Sequence, residues 1–264
     1  MKVFNAGKYS LPLGEKTYVM GILNVTPDSF SDGGKWNNKE SALRHALKMV
    51  EDGADIIDIG AQSTRPGHTE ISATEELDRL LPILEALHLE VDVPISVDTF
   101  YPEVAKEALS HGASIINDVK GFLDERMFNL MEDFSCGAVI MHNGSNATML
   151  KFFNNTVEKL NQRKINKNRV CFDPGIGFGK SYEENLLVLK NLKDFKLEEF
   201  AMLVGASRKR VIGSSCGQPP FSQRVSGTIA AHTIAIANGA DIIRVHDVKE
   251  AVQAAKVADA ILRS

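Results

Sequence analysis

The sequence predicts an α/β chain closed into a (β/α)8 TIM barrel, and three observations carry that reading. A punctuation of helical pattern, Gly and apolar run recurs: Asp52-Gly53-Ala54-Asp55, His111-Gly112-Ala113-Ser114, Cys136-Gly137-Ala138-Val139 and Asn238-Gly239-Ala240-Asp241 each precede residues rich in Val or Ile. Eight strand candidates follow, at 18–23, 54–59, 94–98, 114–117, 137–141, 169–173, 201–205 and 240–245, with helical spacing between them. No second compositional zone interrupts the 264 residues, which is the usual length of one such barrel, so 1–264 is read as a single domain. An open doubly wound sheet fits the same pattern, but closure removes both exposed sheet edges.

Residues 1–16, with Gly7-Lys8-Tyr9 and Leu13-Gly14 among short alternating segments, predict a hairpin extension that plugs the amino-terminal mouth. Tyr18 to Leu23 is apolar without alternation, as expected of a strand covered on both faces. At Asn24 the chain turns to oxygen-bearing side chains, Pro27, Phe30, Asp32 and a Gly pair, the composition of a functional loop. Glu40 to Glu51 then has helical spacing at Leu43, Ala46, Leu47 and Val50 and ends at Gly53, a left-handed cap.

Bulk properties narrow the function. Hydrophobic residues make up 44% and charged residues 24%, and the net charge of −4 gives no electrostatic reason for a nucleic-acid partner. The basic stretch Arg163 to Arg169 ends a helical pattern and reads as a solvated helix end. No apolar run is long enough to span a bilayer and no secretory pattern opens the chain, so the expected location is the cytoplasm, with no membrane partner. Cys136, Cys171 and Cys216 are odd in number and lack metal-type spacing, which argues against a disulfide framework or a zinc site.

Each strand candidate hands over to polar residues at its carboxyl end: Asn24, Gln62 to Arg65, Asp98, Asn117 with Asp118, His142, Asp173, Ser207 to Lys209, then Arg244 with His246. One Asp after a strand is usually a helix cap. Eight such handovers in a barrel all face one mouth. Gly179-Lys180-Ser181 suggests a phosphate-binding P-loop, yet that motif requires Gly at the position held by Pro174. His45, His88, His111 and His232 lie in helical patterns and read as surface or packing residues.

Several stretches together resemble the dihydropteroate synthases. These are Tyr18 to Gly34, Ser63-Thr64-Arg65-Pro66-Gly67, Ser96-Val97-Asp98-Thr99, Ile115-Ile116-Asn117-Asp118, Phe172-Asp173-Pro174-Gly175-Ile176-Gly177-Phe178-Gly179, Ser207-Arg208-Lys209 and Arg244-Val245-His246-Asp247. They run in the family's order over nearly the whole chain. Gly60-Ala61-Gln62 stands where many relatives have Gly-Gly-Glu, and His142-Asn143-Gly144 departs from their Met-Arg-Gly.

The resemblance implies condensation of 6-hydroxymethyl-7,8-dihydropterin diphosphate with 4-aminobenzoate, giving 7,8-dihydropteroate and diphosphate in folate biosynthesis, by a sulfonamide-sensitive transferase. It implies that Asp98, Asn117, Asp173 and Lys209 bind the pterin. Phe30, Thr64, Arg65, Pro66, Phe178 and Arg210 would bind the aminobenzoate. Asn24, Arg244 and His246 would hold the diphosphate, Asn24 with a Mg²⁺ ion, and Asp32, Lys209, Arg244 and His246 would form the catalytic set. A homodimer is expected by analogy.

The residue chemistry fits. A pterin presents donors in a guanidine-like pattern that carboxylates, having only acceptors, match in pairs, while an amide suits its mixed edge. An Arg, a His and a helix start form an anion site, and the ends of the seventh and eighth strands are the customary phosphate position of this fold. A corrinoid-dependent pterin methyltransferase would have no use for Ser-Thr-Arg-Pro-Gly or Ser-Arg-Lys. A non-catalytic pterin-binding barrel would lack the anion groups.

Overall fold

Eight parallel strands close into a barrel in the computed structural model, which describes residues 2–26, 35–62 and 70–263. A two-stranded antiparallel ribbon, β1 (Val3–Ala6) and β2 (Tyr9–Pro12), precedes it. The barrel strands are β3 (Tyr18–Asn24), β4 (Ile56–Gly60), β5 (Ile95–Asp98), β6 (Ile115–Asp118), β7 (Gly137–Met141), β8 (Val170–Asp173), β9 (Ala201–Val204) and β10 (Ile242–Val245), with β10 closing on β3. Helices follow each strand: α1 (Lys35–Glu51), α2 (Ala73–Glu90), α3 (Pro102–Ser110), α4 (Arg126–Asp133), α5 (Asn146–Gln162), α6 (Tyr182–Lys190) with the short α7 (Leu192–Phe195), α8 (Arg210–Ser215) with α9 (Val225–Ala237), and α10 (Val248–Leu262). The expected closed sheet is therefore the observed one, and the open sheet is excluded.

The repeated Gly does what the sequence implies at three of its four positions. Gly53, Gly112 and Gly239 follow α1, α3 and α9 with φ of +100°, +105° and +96°, the left-handed conformation that an L side chain resists. Gly137 differs, because it opens β7. A Cβ there would come within 2.9 Å of Asn5 O and of the Phe4 ring, so Gly137 is what lets the ribbon close on the barrel. Phe4 and Ala6 pack with Tyr18, Met20, Ile56, Ile115, Val139, Cys171, Leu203 and Ile242 in one buried cluster. The ribbon thus seals the amino-terminal mouth as expected, and Cys171 is a buried core residue.

Two strands begin two residues later than expected, at Ile56 rather than residue 54 and at Ile242 rather than 240. The cause is the Asp before each. Asp55 Oδ2 accepts from Val19 N (2.9 Å) and Asp241 Oδ2 accepts from Met202 N (2.9 Å), so each carboxylate pins the neighbouring strand before its own ladder starts. The basic stretch is also corrected. Arg169 donates to the carbonyls of Phe134 and Met131 at the end of α4, while Arg163 pairs with Glu125 and Glu132. It joins α4 to α5 and is not merely a solvated end.

Alternation along the strands positions the site. Tyr18, Met20, Ile56, Ile115, Val139, Cys171 and Ile242 point into the barrel, and period two carries the same face to Asn24, Asp58, Asn117, Met141, Asp173 and Arg244. Ser96 is opposite Asp58 in the ladder, which puts Asp98 on the inner face as well. Among the described barrel-strand residues only Asn24 and Arg244 keep appreciable solvent contact. Both lie at the carboxyl end.

Candidate active site

The floor of the carboxyl-terminal mouth is a network of four side chains. Arg244 Nε donates to Asp58 Oδ2 at 2.6 Å and its Nη2 donates to Asp98 Oδ2 at 2.7 Å. Asn117 Nδ2 donates to the same Asp58 oxygen at 3.1 Å. Asp58 is wholly buried and Asp98 is 5% exposed, so these are desolvated carboxylates held by one guanidinium. Asp58 Oδ1 and Asp98 Oδ1 are buried with no hydrogen-bond partner among the described residues. Unmatched buried acceptors are costly, and at the end of a barrel they point to a ligand that donates. Burial pushes the Asp98 carboxyl up to about 7, Arg244 opposing this and Asp58 and Glu76 adding repulsion.

Asp58 was not among the expected site residues, although a signal for it exists. Gly53-Ala54-Asp55-Ile56-Ile57-Asp58 and Gly239-Ala240-Asp241-Ile242-Ile243-Arg244 are the same segment with opposite charges at the last place. Their strands β4 and β10 flank β3, and the two last residues pair across it. The expectation for Arg244 is modified accordingly. It spans the two floor carboxylates, because Asp58 and Asp98 would otherwise lie buried without a countercharge.

Asp173 and Lys209 form the opposite wall. Asp173 Oδ1 accepts from Gly175 N (2.7 Å), and burial raises its carboxyl while Lys209 opposes the rise. Lys209 Nζ donates to Ile176 O (2.5 Å) and lies 4.5 Å from the centre of the Phe178 ring, a cation–π contact. Burial draws its ammonium down to about 8, with Asp173 pulling the other way. The structure thus brings Asp98, Asn117, Asp173, Lys209, Phe178 and Arg244 to one mouth. Asn24 joins them, since a Cβ on Gly60 would be 3.7 Å from Asn24 Oδ1 and 3.6 Å from Asp98 Cβ.

At the rim, His246 Nδ1 lies 2.9 Å from Ser207 Oγ, which also accepts from His246 N at 3.1 Å. Arg208, at φ +55°, pairs with Asp247 through both guanidinium and carboxylate, tying the loop after β9 to the loop after β10. Arg210 is exposed and opens α8, a helix of six residues. Phe30, Asp32, Thr64, Arg65 and Pro66 lie outside the described residues. Ser181 caps α6 in a reciprocal box with Glu184, so Gly179-Lys180-Ser181 is a helix start and not a phosphate cradle. His232 is buried, its Nε2 accepting from Ala206 N (3.1 Å), while His45 and His88 are exposed, as expected of packing and surface residues.

Among the described residues no cluster of three or more His, Cys, Asp or Glu could hold a metal ion. Asn24 brings one neutral oxygen, a donor that suits an Mg²⁺ ion already carried by phosphate oxygens better than a dedicated protein cage.

A barrel whose inner strand ends gather paired carboxylates, an amide and two cations defines a pterin-binding enzyme, and a sequence model of that description matches residues 20–246. The dihydropteroate synthase of Clostridium beijerinckii is 42% identical, over 97% of this chain and 98% of its own. A crystal structure of the dihydropteroate synthase from Clostridium difficile in the presence of pteroic acid has 43% identity and a TM-score of 0.92, covering 96% of this chain and 100% of that one. The Yersinia pestis dihydropteroate synthase, solved with a sulfonamide drug, has 39% identity and a TM-score of 0.91, covering 99% and 100%. The chain belongs to the dihydropteroate synthase family.

Proposed function

We propose that this site performs the transferase reaction of its family in folate synthesis, joining a dihydropterin diphosphate to 4-aminobenzoate with loss of diphosphate. The observation that carries the reading is the floor. Asp98 keeps one oxygen on Arg244 and one buried and unmatched, and with Asp173 opposite it offers the acceptors that the pterin's amino group and ring N–H groups require. Asn117, which donates to Asp58 through its amide nitrogen, retains a carbonyl for the mixed edge.

An arylamine is neutral at pH 7 and needs no strong base, so catalysis rests on departure of the diphosphate. Asn24 and His246 stand at the rim to receive it. Arg244 would add charge from the floor, secondary to its hold on Asp58 and Asp98. Mg²⁺, brought with the diphosphate and held at Asn24, would supply charge neutralisation of the leaving group. Lys209, between Asp173 and the Phe178 ring, would touch both halves of the product, with Phe178 and Arg210 on the aminobenzoate side. Thr64, Arg65, Pro66 and Phe30 are assigned to the same ring, and Asp32 to offsetting positive charge at the pterin methylene. Their resemblance to the family motifs supports this. Loop closure would exclude water, which competes with the amine.

Two surrounding features belong to the same reading. Ile234, Val257, Ile261 and Leu262 expose apolar side chains on α9 and α10 and support a homodimer through that face. Light scattering on wild type and on Val257→Glu with Ile261→Glu tests it; a mass that does not depend on these substitutions contradicts it. Three cysteines without disulfides suit a reducing cytoplasm, and among the described residues no helix is long and apolar enough to cross a membrane.

The experiment for the reaction is a coupled assay of diphosphate release from dihydropterin diphosphate with and without 4-aminobenzoate. Release that depends on 4-aminobenzoate is expected. Release without it, or none, contradicts the proposal, and pterin binding with no release would indicate a binding protein.

A further inference from the structure

Lys180 and His142, to which the reaction above gives no role, face each other between the loops after β8 and β7. Lys180 Nζ lies 3.3 Å from His142 Nδ1, 3.5 Å from His142 O and 3.3 Å from Phe178 O. Thr148 fixes the ring's tautomer. Its single hydroxyl proton goes to Ser145 O (3.0 Å), so its oxygen accepts from His142 Nε2–H (3.0 Å). Nδ1 is then left with a lone pair toward the ammonium. Burial holds this imidazole neutral, drawing it down to about 4.

The two loops cannot slide independently. Gly175, at φ +69°, passes so close to the other loop that a Cβ there would lie 2.1 Å from His142 O. On this shared base Phe178 is gripped twice, by Lys180 on its carbonyl and by Lys209 over its ring. Asp173 and Glu184 favour the charge on Lys180, while burial draws it down to about 8 and Lys209 is a like charge nearby.

We propose that Lys180, oriented by His142, is a positioning residue that sets Phe178 for the ring of 4-aminobenzoate. This rests on the aminobenzoate role assigned to Phe178 above. The three ammonium donors meet three acceptors on the two loops, so the side chain fixes the backbone of Phe178 without touching either substrate. Its loss should therefore act on one substrate and spare the other.

Steady-state kinetics on wild type, Lys180→Met and Lys180→Arg, with each substrate varied in turn, reads this directly. Lys180→Met should raise KM for 4-aminobenzoate about fivefold, leaving KM for the pterin diphosphate and kcat within about twofold, and Lys180→Arg should recover most of the loss. His142→Asn approaches the same grip from the acceptor side and should raise KM for 4-aminobenzoate alone by about threefold, which keeps the test open if Lys180→Met does not fold. Equal rises in both KM values, or an unchanged KM for 4-aminobenzoate in folded variants, would overturn the proposal. A wild type that releases no diphosphate in response to 4-aminobenzoate would instead overturn the reaction on which it rests.

Discussion

At the floor of the site charged side chains hold one another, whereas the two lysines in the loops after β8 and β9 are held mainly by backbone. Arg244 joins Asp58 and Asp98 through three strands that ladder directly into one another or into β3. Lys209 and Lys180 instead rest on the carbonyls of Ile176, Phe178 and His142, all in loops. The floor comes from residues in the strands, which the barrel closure fixes, so its geometry is inherited from the fold. The rim depends on how two or three loops pack against one another. That division suits a site that must recognise one rigid bicycle and then admit a second substrate.

The largest effect should come from breaking the floor. Replacing Arg244 with Met leaves Asp58 and Asp98 buried without a cation, and losing one partner of such a network costs about 3–5 kcal/mol. Chemical denaturation should show it as a lower midpoint with unchanged slope. Asp98→Ala should come next: the pterin loses an acceptor while Arg244 gains freedom, and pterin affinity should fall about 10²-fold by calorimetry. A loss confined to the aminobenzoate side would place the pterin elsewhere.

Titration separates floor from rim by sign. Asp98, raised to about 7, gains the charge proposed to accept from the pterin as pH rises through that value; Lys209, drawn down to about 8, loses its charge as pH rises further. kcat/KM for the pterin diphosphate reports the free protein, so it should climb through about 7 and fall above about 8. Lys209→Arg should move the alkaline fall upward. For stability the signs differ. Asp98 binds its proton more tightly folded than unfolded, so its contribution declines as pH rises from the ordinary Asp range to about 7; Lys209 has the opposite shift, and its penalty is relieved above about 8. The smallest effect belongs to the rim aromatic. Phe178→Ala should weaken 4-aminobenzoate and a competing sulfonamide alike by about five- to tenfold, with pterin affinity unchanged. Competition of the sulfonamide with the pterin instead of with 4-aminobenzoate would contradict this.

How much of this was legible in the sequence follows the same boundary. Asp98, Asn117 and Asp173 could be read because they end apolar strands, and closure puts such ends together. Asp58 was hidden because it lies two residues before its strand ends, within an apolar stretch, and only the repeated Gly-Ala-Asp-Ile-Ile segment with Arg244 points to it. Arg244 looked like an anion-binding group because His246 and the helix start that follows it suggest one. Its Coulombic partners lie 146 and 186 residues away, which local sequence cannot display. Arg208 and Arg169 are alike in this respect: by sequence one follows a strand and the other closes a basic stretch read as a solvated helix end, and each is a tie between segments in three dimensions.

The central claim is that the guanidinium of Arg244 belongs to the pterin floor before it serves the diphosphate. Titrating a bare dihydropterin, without diphosphate, into wild type and Arg244→Met decides it by calorimetry. A loss of about tenfold or more for the bare pterin is the result this arrangement predicts. Unchanged affinity for the bare pterin, with weakened binding only of the diphosphate form, would contradict it.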